Sequence, residues 1–216
     1  MFPIVSVVGK SQSGKTILLE QLIGELISRG HRLATIKNTH ADFTVDHPGK
    51  DSWRFSQAGS NVVVVSGPQT VAVVRQMDHQ AALQELFQLI GGEVDLILTE
   101  GFKGAQTPKI EVHRKELGNL VSPPEQLLAI VTDEPLDIAV PQYSAKDVKP
   151  LANLIEESIL ASPSNDEALL MVNGTPIPLN PFVKNILGKT LVGMVSTLRG
   201  GETINNLHIW LRRERD

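Results

Sequence analysis

The feature that most constrains the fold is a glycine-rich segment near the start of the chain, residues 9–16, with the sequence GKSQSGKT. It matches the phosphate-binding pattern GxxxxGK[ST] at every fixed position. An apolar, β-branched run at residues 4–8 precedes it, and leucines and an isoleucine follow at the spacing of one helix face. The sequence therefore predicts a strand, a loop and a helix arranged to hold phosphate groups.

The residue types in this loop have distinct chemical roles. Glycines let successive backbone N–H groups converge on phosphate oxygens at the N-terminus of a helix. Lys15 is predicted to meet the β- and γ-phosphates as a catalytic cation, and the Thr16 hydroxyl is predicted to hold Mg²⁺. The residues predicted to bind the nucleotide here are Gly9, Gln12, Ser13, Gly14, Lys15 and Thr16.

Strand and helix patterns alternate after the loop, which predicts an α/β fold of the P-loop NTPase type with a mostly parallel sheet flanked by helices. The predicted strands are residues 33–36, 94–98 and 127–131, and the predicted helices are 51–58, 81–90 and 147–160. Residues 61–66 and 70–75 flank a Gly-Pro turn and predict an antiparallel hairpin inserted in that sheet.

Acidic residues are predicted to complete a magnesium site beside the loop. Glu100 and Gly101 stand at the carboxyl end of the apolar strand 94–98, the edge at which open α/β sheets bind ligands. Glu100 is therefore predicted to order Mg²⁺ or its water beside Thr16 and to act catalytically, with Gly101 beside the nucleotide. Asp46 or Asp51, from the polar segment 37–52, is predicted as a further metal ligand.

The character of the chain changes after a polar, proline-containing linker at residues 161–166. We predict a nucleotide-binding domain over residues 1–164 and a small α+β lobe over residues 165–216. Within the lobe, Asn173-Gly174 predicts a hairpin, and Asn180 predicts the start of a helix that runs through Leu187. Residues 191–198 and 204–211 are predicted to be strands.

Composition argues against several classes of protein. The sequence has no cysteine, which excludes disulfides, thiolate metal sites and cysteine nucleophiles. A formal net charge of −4 argues against a general nucleic-acid binder, which needs a basic face. The apolar runs are far shorter than the roughly 18 residues that a membrane-spanning helix needs. We therefore expect a cytoplasmic protein that binds neither nucleic acid nor membrane.

Segments spread over residues 1–160 share the order and spacing of one protein family. They are GKSQSGKT at 9–16, THADFTVD at 39–46, PGKDS at 48–52, AG at 58–59, DLILTEGFK at 95–103 and KI at 109–110. Together they resemble the molybdopterin-guanine dinucleotide biosynthesis adapter family. The resemblance implies a dimeric protein that binds GTP and hydrolyses it weakly. It also implies two partners: molybdopterin or its molybdenum complex, and the guanylyltransferase that attaches GMP to molybdopterin.

The segments predicted to recognise the base depart from the usual pattern. The Asn-Lys-x-Asp guanine motif is absent, and Asn38 stands where the family usually carries histidine. The strand 127–131 ends instead beside Asp133, whose carboxylate is predicted to accept hydrogen bonds from the guanine N1–H and N2–H₂ groups. Ser144 and Ala145 resemble the loop that many P-loop GTPases place near guanine O6. These segments, with the resemblance, favour GTP over ATP.

Two other functions remain open at this point. A P-loop kinase would pass the γ-phosphoryl group to a small molecule and usually carries arginines on a lid, and the sequence shows no arginine-rich lid. A GTPase that inserts a metal would need a cluster of metal ligands, and the absence of cysteine weakens that alternative. A homodimer is predicted from the resemblance together with the hairpin, whose outer strand leaves an unpaired edge.

Overall fold

Strands and helices alternate along most of the chain in the computed structural model. The structure describes residues 3–39, 41–90, 94–161, 168, 170–172, 175–198, 204, 207 and 209. Its strands are β1 (Ile4–Gly9), β2 (Leu33–Lys37), β3 (Val62–Ser66), β4 (Val71–Arg75), β5 (Leu96–Glu100), β6 (Lys109–Val112), β7 (Leu127–Val131), β8 (Gln142–Tyr143), β9 (Leu170–Val172) and β10 (Thr175–Ile177). Its α-helices are α1 (Lys15–Ser28), α2 (Asp51–Gln57), α3 (Leu83–Ile90), α4 (Val148–Ile155) and α5 (Pro181–Ser196).

Six of these strands form one sheet in the order β2-β5-β1-β6-β7-β8, and every neighbouring pair is parallel. The carboxyl ends of all six strands therefore lie on one edge of the sheet, where α/β proteins bind ligands. The phosphate-binding loop follows the third strand in this order. The predicted P-loop NTPase fold is confirmed.

Helices cover both faces of this sheet because alternate residues of a buried strand point in opposite directions. Val5 and Val7 of β1 belong to a cluster that includes residues of α1 and α4, whereas Ile4 packs in a second cluster with Leu83 and Phe87 of α3. β1 is buried along its whole length. A strand buried on both faces holds the loop that follows it in a rigid position.

The helix that follows the loop ends as the sequence predicts. Gly30 adopts φ +93°, its N–H donates to the Ile27 carbonyl, and the His31 N–H donates to the Leu26 carbonyl. This pair of bonds is the glycine-terminated Schellman motif, which satisfies carbonyls that the helix leaves unpaired. The chain then enters β2 directly.

The predicted hairpin is confirmed as the antiparallel pair β3–β4, with Val64 opposite Val73. The structure differs from the expectation in one respect, because the two strands form a separate sheet and do not join the parallel one. β3 lies against α2, the helix that precedes it in the chain.

The C-terminal segment is more helical than predicted. Asn180 caps α5 by accepting from the Val183 N–H, and Pro181 occupies the first turn, as expected. The helix continues to Ser196, so the prediction of a strand at residues 191–198 is wrong. The half-buried positions Val183, Leu187, Leu191 and Val195 recur every four residues, which is a helical and not a strand period.

The rest of that segment is described in part. β9 and β10 confirm the predicted hairpin, and β10 lies against α3. Most of residues 204–211, where a strand was predicted, lie outside the described residues, as do residues 162–167 at the predicted domain boundary. That boundary stays a prediction. No helix within the described ranges is long and apolar enough to cross a membrane.

Candidate functional site

The glycine-rich loop begins at a point of very close backbone contact. Gly9 has φ +141°, and a Cβ atom there would lie 2.4 Å from the carbonyl oxygen of Val112 on β6. Gly14 has φ +97° and forms the N-cap of α1. Only glycine fits both requirements without strain. The chain therefore turns sharply after β1, and the N-terminus of α1 lies at the carboxyl edge of the sheet.

The loop residues predicted to contact phosphate and Mg²⁺, Lys15 and Thr16, lie near the end of β5. The Thr16 hydroxyl donates to Glu100 Oε2 at 3.0 Å, and Lys15 Nζ donates to the Lys10 carbonyl at 2.5 Å. Burial lowers the pKa of Lys15, the Glu100 charge opposes this, and Lys103 and Lys37 add to the lowering. The structure thus brings together Lys15, Thr16 and Glu100, as the sequence predicted.

Positive charge exceeds negative charge around this loop. Lys37 Nζ lies 3.4 Å from Glu100 Oε1, and Lys103 is close enough to affect Lys15. Lys15 is therefore near two other ammonium groups and one carboxylate, an arrangement that favours binding of an anion. Sequence reasoning did not single out Lys37 or Lys103, although Lys37 is the last residue of β2 and Lys103 lies three residues beyond β5.

A buried hydroxyl in the loop lacks a partner. Ser13 is 1% exposed, and its Oγ has no hydrogen-bond partner among the described residues. Leaving such a group unsatisfied costs about 1–3 kcal/mol. Gln12, next to it, has φ +63°, an uncommon conformation for a residue with a side chain. A phosphate oxygen in the loop would satisfy the Ser13 hydroxyl, so the residues fit the predicted ligand.

The predicted metal ligands divide into two groups. Thr16 and Glu100 are in direct contact and supply the oxygen atoms that Mg²⁺ prefers. The Asp46 carboxylate accepts from the His47 N–H, and Asp51 lies 3.6 Å from Arg54, whereas the Thr16 hydroxyl donates to Glu100. No cluster of three or more histidine and acidic side chains suited to a metal occurs within the described part of the chain. The assignment of Asp46 or Asp51 stays a prediction.

Gly101 follows β5 and lies against Asn38, the residue after β2. It has φ +99°, and a Cβ atom there would lie 3.2 Å from the Cβ of Asn38. The Asn38 N–H donates to the Glu100 carbonyl at 2.9 Å. Glycine at this position lets the two strand ends lie together. It therefore helps to hold Glu100 beside Thr16.

The residues predicted to recognise the base follow two paired strands at the same edge. Asp133 comes just after β7 and Ser144 just after β8, and Val131 stands opposite Tyr143 in that pair. The Asp133 carboxylate is exposed and has no hydrogen bond or ion pair with any described residue. The Ser144 N–H is occupied by Asp147 Oδ2 at 2.8 Å, whereas the Ala145 N–H has no partner in the described ranges.

Comparison with known proteins identifies the family. The sequence matches the family described as molybdopterin guanine dinucleotide synthesis protein B over residues 4–133. The chain belongs to this family. A molybdopterin-guanine dinucleotide biosynthesis adapter protein from Haemophilus influenzae is 38% identical over 156 residues, which are 71% of this chain and 88% of the relative. The crystal structure of Bacillus subtilis MobB superposes with a TM-score of 0.60 at 27% identity, covering 74% of this chain and 99% of that one.

The sequence match with one relative extends beyond residue 164. A putative adapter protein of this name from Methanocaldococcus jannaschii is 28% identical over 221 residues, covering 91% of this chain and 92% of the relative. Residues 1–164 alone cannot supply that coverage, so the alignment extends into the lobe. The bacterial relatives above match a smaller share of the chain.

Proposed function

We propose that this protein is a GTP-binding, weakly GTP-hydrolysing adapter that assists attachment of GMP to molybdopterin. The observation on which this proposal rests is the arrangement around the phosphate-binding loop. Lys15 and the Thr16–Glu100 pair lie beside the buried Ser13 hydroxyl, which has no hydrogen-bond partner among the described residues. The loop, Lys15 and Ser13 would hold the phosphates, and Thr16 and Glu100 would hold Mg²⁺. Family membership supports molybdopterin and its guanylyltransferase as the partners.

Guanine is favoured over adenine by the unpaired groups beyond β7 and β8. The Asp133 carboxylate can only accept hydrogen bonds, and the guanine N1–H and N2–H₂ groups are adjacent donors. The Ala145 N–H can only donate, and guanine O6 is an acceptor. Adenine carries an amino group where guanine carries O6 and lacks the N1 proton, so both protein groups would be left unpaired.

Replacing Asp133 with asparagine tests the assignment of the base. We expect the affinity for GTP to fall at least about tenfold. The asparagine NH₂ group is a donor and would face guanine N–H groups, which are also donors. The affinity for xanthosine triphosphate should rise, since its C2 carbonyl accepts from the asparagine amide. Calorimetry with GTP, ATP and xanthosine triphosphate measures both effects.

Asp137→Asn provides the matched control for that experiment, because Asp137 is an exposed carboxylate in the same loop. It should leave all three affinities unchanged. Tighter binding of ATP than of GTP by the wild-type protein would contradict the guanine assignment.

A homodimer through the β3–β4 hairpin is the second part of the proposal. Val62, Val64, Val71 and Val73 lie on one face of the hairpin, and their exposed fractions are 41%, 58%, 62% and 50%. A groove of about 440 Å³ runs beside them, lined by Phe55 of α2 and residues of β3. Four exposed valines on one face are unusual for a surface that remains in water. A second copy would bury the same face on both chains.

Replacing Val64 with aspartate is expected to produce a monomer. A twofold interface contains each substitution twice, so the dimer dissociation constant should rise about a hundredfold or more. Sedimentation equilibrium at micromolar concentration measures it. Ile27→Asp is the control, because Ile27 is 55% exposed on α1, outside the hairpin. A wild-type protein that sediments as a monomer would contradict the proposed dimer.

A further inference from the structure

The chain that follows β6 passes directly beside the phosphate-binding loop. Gly9 stands opposite Val112 in the parallel pair β1–β6, and their backbones are in close contact. His113, the next residue, is 7% exposed and donates from Nε2 to the Gly118 carbonyl at 2.9 Å. Its N–H donates to the Val131 carbonyl at 2.8 Å. The direction of the chain at the residue after His113 is therefore well defined.

Residues 114–118 contact both the phosphate-binding loop and the loop that contains Asp133. Lys10 Nζ, from the phosphate-binding loop, donates to the Leu117 carbonyl. Lys115 Nζ lies 3.0 Å from Glu134 Oε2, one residue beyond Asp133. Residues 113–118 thus bridge the loop that would hold phosphate and the loop that would hold the base.

Arg114 extends its guanidinium group from this segment across the start of α1. Its Nη2 lies 3.4 Å from the position that a Cβ atom on Gly14 would occupy. Its hydrogen bonding within the described ranges consists of one bond from Nη1 to the His113 carbonyl, at 3.5 Å. No carboxylate of a described residue lies within 4 Å of it. The side chain is half-buried.

This position is unfavourable for a cation when no anion is present. The N-terminus of a helix carries a partial positive charge, and cations there are destabilising. Lys15 follows Gly14 directly and adds a further positive charge. A half-buried guanidinium group that makes one long hydrogen bond also has further N–H donors available for a ligand. An anion bound at the N-terminus of α1 would offset the positive charge of the helix end and of Lys15. It would also accept hydrogen bonds from Arg114.

We infer that Arg114 binds the phosphates of the nucleotide, as an arginine supplied by the same chain. The inference rests on the proposed function to the extent that the loop holds a phosphorylated ligand. Guanidinium groups suit this role because their planar donors match two phosphate oxygens at once.

The strand order indicates which phosphates Arg114 contacts. Glu100 follows β5 on one side of β1, whereas Arg114 follows β6 on the other side, toward the base-binding loops after β7 and β8. A nucleotide with its base at Asp133 and its terminal phosphate near Glu100 places its α- and β-phosphates on the β6 side. Arg114 therefore contacts the phosphates nearest the nucleoside, and GTP and GDP share these groups.

Calorimetry on the full chain with GTP, GDP and inorganic pyrophosphate tests the inference. Arg114→Ala should weaken GTP and GDP by the same factor, roughly tenfold to a hundredfold, which is typical of a lost charge-assisted hydrogen bond. Pyrophosphate should also bind more weakly. Arg114→Lys should recover part of the loss, since lysine keeps the charge but not the planar group. The melting temperature of the free protein should not fall, because removing this cation relieves repulsion at the helix start.

Arg32→Ala is the matched control, because Arg32 pairs with Asp95 at the opposite edge of the sheet and its loss removes the same charge. It should leave all three affinities unchanged. Wild-type affinities in both Arg114 variants would overturn the inference, and a loss confined to GTP would overturn the assignment to the inner phosphates. Pyrophosphate binding that depends on Arg114, without guanine nucleotide binding, would support the inference and refute the proposed function. A wild-type protein that binds none of the three ligands would overturn both.

Discussion

Replacing Lys15 with alanine is expected to weaken binding of Mg-GTP by several kcal/mol, about a hundredfold or more, while the fold stays intact. The ammonium group of Lys15 is already partly removed from water before the ligand arrives, and this burial lowers its pKa. A charge placed in this way makes strong hydrogen bonds to phosphate, and no other side chain of the loop supplies a cation at that point.

The fold is expected to tolerate this change because Lys15 contributes little to the stability of the free protein. Among the described residues its Nζ makes one hydrogen bond, to the Lys10 carbonyl, and the Lys37 and Lys103 charges repel it. Calorimetry with Mg-GTP gives the affinity, and thermal unfolding without ligand gives the stability. Lys103→Ala is the matched control, with a smaller expected loss because Lys103 is exposed and screened by solvent. Unchanged affinity in Lys15→Ala would refute the role of the phosphate-binding loop.

The second large effect is expected at Glu100. Glutamine has the same shape and can still accept from the Thr16 hydroxyl, so nucleotide binding should change only slightly. Hydrolysis should fall about a hundredfold or more, because a neutral amide orders Mg²⁺ and its water poorly. Loss of the carboxylate also removes the ion pair with Lys37 at 3.4 Å.

Single-turnover release of phosphate, measured beside the equilibrium affinity, separates these two effects. Asp95→Asn is the matched control, because Asp95 lies at the other end of the strand that carries Glu100 and pairs with Arg32 at 2.8 Å. It should alter neither quantity. Equal losses in binding and hydrolysis for Glu100→Gln would remove the assigned role, and an unchanged hydrolysis rate would do the same.

Local patterns in the sequence predicted the elements that carry the phosphate-binding loop. The strand before it, the loop itself and the helix that Gly30 terminates all depend on interactions between residues close in sequence. Hydrophobic period, capping glycine and the loop motif are such local signals. The contact between Thr16 and Glu100 was also predictable, since both follow strands whose carboxyl ends share one edge.

β6 was not predicted, because its sequence contains two charged residues. Lys109 and Glu111 are almost completely buried in it. Lys109 Nζ donates to the Ala105 carbonyl at 2.6 Å and to Gln126 Oε1 at 2.7 Å, and Glu111 accepts from the Val121 and Ser122 N–H groups. Burial of such groups is tolerated only when distant parts of the chain satisfy them. No local pattern reveals those partners.

α5 was misjudged for a related reason. Gly188 and Gly193 interrupt a segment rich in β-branched residues, and each glycine costs a helix about 1 kcal/mol relative to alanine. The helix forms nevertheless, and its half-buried positions follow a helical period. A propensity penalty of this size is therefore a weaker guide than the spacing of the apolar positions.

The sequence by itself determined the phosphate-binding loop, the chemistry of its lysine and threonine, and the alternation of strands and helices, because these depend on neighbours along the chain. Tertiary structure alone decided the order of the strands. That order places Arg114, which follows the unpredicted β6, beside Gly14, and it places Asp133 and Ala145 beyond β6 on the same edge. The physical reason is that strand order depends on long-range burial and hydrogen bonding, whose free energy is shared among residues far apart in sequence.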